Sequence, residues 1–149
     1  MTQTAPIISV DAMGADHGPS ITIEGIAHIL KRRPDTPARF LVHGDAAKLE
    51  PLIADLADEA KARVTLQHTD TEVRMTDKPS EAVRRSRGSS MWNALAAVKN
   101  GEADVVVSAG NTGALMAISK VVLRMKKGVH RPAISASWPT PRGHTVVLD

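Results

Sequence analysis

Asp11, Gly14 and His17 fall close together, directly after the apolar run Ile7-Ile8-Ser9-Val10. A carboxylate, a glycine and an imidazole in that order offer two kinds of chemistry. Gly14 lets the backbone come close to a charged ligand, and Asp11 or His17 can take or give a proton. The whole segment, VDAMGADHGPS (10–20), is equally what a turn between a strand and a helix looks like. Spacing alone leaves both readings open.

Two more segments have a similar make-up. SAGNTG (108–113) places Ser108, Gly110, Asn111, Thr112 and Gly113 between an apolar run and an apolar helical pattern. Free N–H groups and the dipole at such a helix start favour a phosphate or carboxylate. RRSRGSS (84–90) sets Arg87 beside Ser89 and Ser90, which suits an anion clamp. Arg84 and Arg85 read instead as a solvated helix face, and either serine also suits an N-cap. Neither glycine turn is a better-defined phosphate loop. The chain has no Gly-Lys pair, and no Gly-x-Gly-x-x-Gly follows a strand.

Other chemistries are poorly served. There is no cysteine, which excludes disulfides, thiolate nucleophiles and cysteine metal sites. The histidines at 17, 28, 43, 68, 130 and 144 show no metal-ligand spacing, and Ser108 lacks a Gly-x-Ser-x-Gly elbow. No metal and no cofactor are expected. The formal charge of +3 comes from small basic groups without interleaved aromatics, so no nucleic-acid partner is expected; an acidic protein or a phosphorylated ligand fits better.

The elements that must hold these residues alternate. Apolar runs at 7–10, 39–43, 63–67 and 104–108 read as strands, the last (DVVVS) as one buried on both faces. Pro19 to Arg33 reads as a helix, with Ile23, Ile26, Ala27 and Leu30 on one face and Pro34 closing it. A second helix follows Gly44-Asp45 to about Lys61. Residues 68–79 read as a loop, and a helical pattern then resumes, breaks or bends near 87–90 and stops at Asn100-Gly101. Ala114 to Lys127 reads as an apolar helix. Residues 132–137 and 145–148 read as strands flanking a Pro/Gly-rich turn, Trp138 to Gly143. Strand–helix alternation predicts a three-layer α/β/α sandwich around a mostly parallel sheet. With one Phe, two Trp and no Tyr, its core must be aliphatic. The chain reads as one α/β domain over 1–149, or as the N-terminal part of a longer α/β chain cut short after Asp149. The N-terminus has no basic region followed by an apolar one, and no apolar stretch is long enough for a membrane span.

Taken in order, VDAMGADHGP (10–19), RRSRGSSM (84–91), SAGNTGALM (108–116), RPAI (131–134) and TVVLD (145–149) resemble the N-terminal part of the PlsX family, the phosphate acyltransferases of bacterial phospholipid synthesis. The family pattern has a second glycine where this chain has Ala15, a strained change only if that residue needs a positive φ. The resemblance implies transfer of a fatty acyl group from acyl-acyl carrier protein to inorganic phosphate. It implies a fold like that of phosphotransacetylases and of isocitrate and isopropylmalate dehydrogenases. It also implies a cytoplasmic homodimer, with some members at the membrane surface. On this reading Gly14, Arg87, Ser89, Ser90, Ser108, Gly110, Asn111, Thr112 and Gly113 bind phosphate or substrate, and Asp11, His17 and Asn111 are the catalytic candidates. A short-chain enzyme using acyl-CoA, and a fragment that binds phosphate or carrier without turnover, are the alternatives.

Overall fold

A computed structural model describes residues 5–148; Asp149, the end of the TVVLD run, lies outside the described residues. The elements are β1 (Ile7–Asp11), α1 (Pro19–Arg32), β2 (Arg39–Gly44), α2 (Ala46–Ala54), α3 (Asp58–Lys61), β3 (Val64–His68), α4 (Pro79–Arg85), α5 (Ser90–Asn100), β4 (Val105–Ser108), α6 (Thr112–Val122), β5 (Ser135–Thr140) and β6 (Gly143–Leu148). Strands β3-β2-β1-β4 form one parallel sheet.

Period-two alternation sorts the side chains between the two faces of this sheet. Val10, Phe40 and Val42 join Ile23, Ile26 and Leu30 of α1, Leu49 of α2 and Ala60 of α3 in one core. On the other face, Val106 packs with Ala82 of α4, Met91 and Leu95 of α5, and Ala114, Ile118 and Val122 of α6. Helices therefore cover both faces, and the three expected layers are present.

Several expectations need correction. The helix expected from 45 to 61 is two, because the chain turns at Asp55, whose N–H bonds back to Pro51, and then tucks Leu56 against the core. The last helix starts at Thr112 instead of Ala114, since Asn111 caps it. It stops at Val122 instead of Lys127, where Arg124 takes a left-handed conformation (φ 66°) that ends a helix. Strand β4 is not covered on both faces. It is an edge strand, and Val105 and Val107 remain 46% and 50% exposed on the α1 side. The last two strands do not extend the parallel sheet. They pair with each other in an antiparallel hairpin that takes in Trp138 and Pro139, every residue of it exposed. Proline is tolerated there because edge strands need not donate every N–H.

Candidate functional site

Three of the parallel strands carry a Val-polar pair at or one residue before their carboxyl ends: Val10-Asp11, Val42-His43 (followed by Gly44) and Val107-Ser108. Register places Asp11 between the other two, opposite His43 on β2 and Ser108 on β4. The three polar side chains thus form a row at the carboxyl ends of the strands, where open α/β sheets bind ligands.

Asp11 is 3% exposed, yet its carboxylate is well supplied. Oδ2 accepts from the Ser108 hydroxyl at 2.8 Å, and Oδ1 accepts from the Met13 N–H at 3.3 Å. Ser108 Oγ in turn accepts from the Gly110 N–H at 3.1 Å. This chain of bonds ties the first glycine turn to the second. The turns also touch directly: a Cβ on Gly14 would lie 3.0 Å from the Gly110 Cα, and one on Gly110 would lie 3.3 Å from the Gly14 carbonyl and from Met91 Cε. Both glycines are there because two backbones meet. Ala15 has no positive φ, so its methyl group carries no left-handed strain.

Asn111 is a clamp. Its Oδ1 accepts from the Ala114 N–H at 3.0 Å, capping α6, while Nδ2 donates to the carbonyls of Arg74, Met75 and Asp77 at 3.3, 3.0 and 2.9 Å. The polar loop 74–77 is thereby strapped to the start of the helix. Gly113 serves the same packing, since a Cβ there would lie 2.9 Å from Pro79 Cγ at the start of α4. Thr112 is exposed beside it.

The start of α5 supplies the serines. Ser89 is buried and caps the helix, its Oγ accepting from the Trp92 N–H at 3.2 Å. Ser90 is buried with its N–H on the Thr71 carbonyl and no partner for its Oγ among the described residues. Arg87 is exposed, its guanidinium 5.8 Å from the centre of the Trp92 ring, a cation–π distance. Asp16 and His17 are both exposed, and no hydrogen bond joins His17 to Asp11 or Ser108 among the described residues.

Sequence reasoning passed over His43 and Ser9. Ser9 Oγ donates to the Ala94 carbonyl at 3.0 Å and lies 3.0 Å from His43 Nε2, so the imidazole donates there. Nδ1 is then the unprotonated nitrogen, buried without a partner among the described residues. Burial lowers the His43 pKa below the usual 6.5, against the opposing pull of Asp11 and Glu102. The Val-polar pair near the carboxyl end of each of the three strands was the available clue. Among the described residues no group of metal-binding side chains gathers, and no helix is long and apolar enough to cross a membrane.

A parallel sheet covered by helices on both faces, with two glycine turns meeting at the carboxyl ends of its strands, defines a layered α/β protein. Residues 7–149 match the family described as fatty acid synthesis protein, and the chain belongs to that family, the PlsX phosphate acyltransferases. Its relatives include the phosphate acyltransferase of Maricaulis maris, 69% identical over 144 residues, which cover 97% of this chain and 41% of that protein. Those of Caulobacter vibrioides and Beijerinckia indica are 56% and 55% identical, over 96% and 95% of this chain and 39% and 36% of theirs. The chain therefore spans about two fifths of the length of these curated relatives.

Proposed function

We propose that the protein serves the transfer of a fatty acyl group from acyl-acyl carrier protein to inorganic phosphate, giving an acyl phosphate for phospholipid synthesis. The observation that carries this reading is the junction of the two glycine turns at Asp11, Ser108 and Gly110, directly beneath the start of α6. The name shared by the relatives supports it.

The chemistry asks little covalent work of the protein. A phosphate oxygen attacks the thioester carbonyl, a C–O bond forms, the C–S bond breaks, and the thiolate leaves and takes up a proton. What remains is to position phosphate and to stabilise the oxyanion. The first turn of α6 leaves N–H groups without helical partners, and those of Thr112 and Gly113 open it. These N–H groups, the Thr112 hydroxyl and Arg87 are the proposed phosphate contacts; the Ser90 hydroxyl, being buried, makes none. A carboxylate beside a phosphate repels it, so Asp11 is a positioning residue that holds Ser108 and Gly110 in place. Asn111 is a second one, fixing the helix start. His17 and Ser89 are the weaker members of the set: one is exposed without site partners, the other is occupied as a cap.

The finer parts of the reading follow the family. The sheet is that of the isocitrate and isopropylmalate dehydrogenases and phosphotransacetylases, and the protein works as a cytoplasmic homodimer with access to the membrane surface. The test is trapping of acyl phosphate as a hydroxamate, with acyl carrier protein or acyl-CoA as donor. Product from the carrier-bound donor is expected. Product from acyl-CoA alone would move the protein to the phosphotransacetylase reading, and binding without product would leave only a ligand-holding part.

A further inference from the structure

Charge is distributed very unevenly along this chain. Residues 1–104 carry 13 Lys and Arg against 15 Asp and Glu, a nearly balanced surface. Residues 105–148 carry Lys120, Arg124, Lys126, Lys127, Arg131 and Arg142 and not one carboxylate. That acid-free third includes α6, which is apolar nearly all round: Ala114, Ile118 and Val122 face the core, while Met116, Val121 and Leu123 are exposed. A helix apolar on every side is normally covered on every side.

The uncovered side of α6 is a groove of about 410 Å³. Leu115, Met116 and Leu123 form one wall, and Pro132 and Ile134 of the following segment form the other. Lys120 and Arg124 stand on its rim, both exposed, and neither has a carboxylate partner among the described residues. Thr112 lies at one end, so the groove runs along α6 from the candidate site outward. Eleven residues of helix make that length about 16 Å.

We infer that this groove docks an acidic amphipathic helix of the acyl carrier protein. The inference rests on the proposed function and deepens it by giving the carrier its surface. An apolar floor with a basic rim matches a helix whose apolar stripe is flanked by Asp and Glu. A second copy of this chain would bring the same acid-free face against itself, and like charges repel. Docked there, the carrier lies along α6 with the helix start, and the proposed phosphate contacts, at the end of its groove.

The experiment compares carrier binding by fluorescence anisotropy for the 149-residue chain, for Lys120→Glu/Arg124→Glu, and for the distant basic pair Lys31→Glu/Arg32→Glu on α1. Circular dichroism checks that each is folded. The rim reversal is expected to weaken binding at least ~10-fold and to flatten its salt dependence, while the α1 reversal changes it less than about twofold. Equal effects of the two reversals, or none from either, overturn the inference. So does rim-dependent binding to phosphatidylglycerol vesicles with carrier binding intact, which gives the face to lipid. Rim-dependent self-association in place of carrier binding gives it to a second copy. Loss of the rim effect when the chain is extended to the length of its relatives gives it to internal packing. Rim-dependent binding without any acyl phosphate formed at full length would sink the proposed function and leave the groove standing. Acyl phosphate made by the rim variant at an unchanged KM for the carrier would do the reverse.

Discussion

Strands β1 and β4 lie side by side in the same sheet and read almost alike, yet they live in different surroundings. In β1, Ser9, Val10 and Asp11 are all buried, with α1 on one side and α5 on the other. In β4 only the α5 side is covered: Val106 joins that core, while Val105 and Val107 are half exposed. An apolar run reports which surfaces a strand is built to bury. Whether they are buried depends on elements elsewhere in the chain or outside it.

This contrast can be tested by substitution. The largest effect is expected where β1 and β4 are joined by touching turns. Gly110→Val should cost about 3 kcal/mol, because its side chain would meet the Gly14 backbone, which cannot yield as a side chain would. Urea unfolding measures this, and a loss below about 1 kcal/mol would mean that the turns separate easily. Asn111→Ala removes the cap of α6 and releases three carbonyls of loop 74–77, with an expected cost of about 2 kcal/mol. Faster proteolysis within 74–77 should accompany it, and an unchanged cleavage pattern would count against the clamp.

The direct comparison of the strands comes next. Val10→Ala should cost about 2 kcal/mol, and Val107→Ala less than about 0.5 kcal/mol. Equal losses would show that β4 is covered in solution. The smallest effect is a pH dependence that belongs to β1's other neighbour. His43 has a lowered pKa in the fold, so the unfolded chain binds the extra proton first as pH falls. Its contribution is present above the unfolded value near 6.5 and is lost on acidification from there down to the lowered folded value. His43→Gln should flatten the stability profile in that window; a profile as steep as that of the original protein would put the acid sensitivity elsewhere.

Local signals made much of the fold legible. Pro19 and the Arg32-Arg33-Pro34 group bracket α1, and Asn100-Gly101 ends α5 with Gly101 at φ 77°. The break between α2 and α3 was hidden because it depends on where Leu56 can pack. The hairpin was hidden because a strand's partner is not written in its own residues, and Pro139 argued against a strand at that point. The site divides in the same way. Glycine turns are readable as turns, so Asp11, Gly14, Ser108 and Gly110 could be named in advance. That Gly14 and Gly110 serve each other, and that His43 and Ser9 belong beside Asp11, follows from register across three strands.

The contact between those two glycines also has a mechanical side. With no side chain between them, there is no compliant layer to absorb a displacement. The start of α6 is joined to the end of β1 twice, by the Gly110–Gly14 contact and by the hydrogen bond from Ser108 to the Asp11 carboxylate. A substitution that displaces α6 should therefore also disturb the end of β1, read as a change in amide exchange at Asp11 to Gly14.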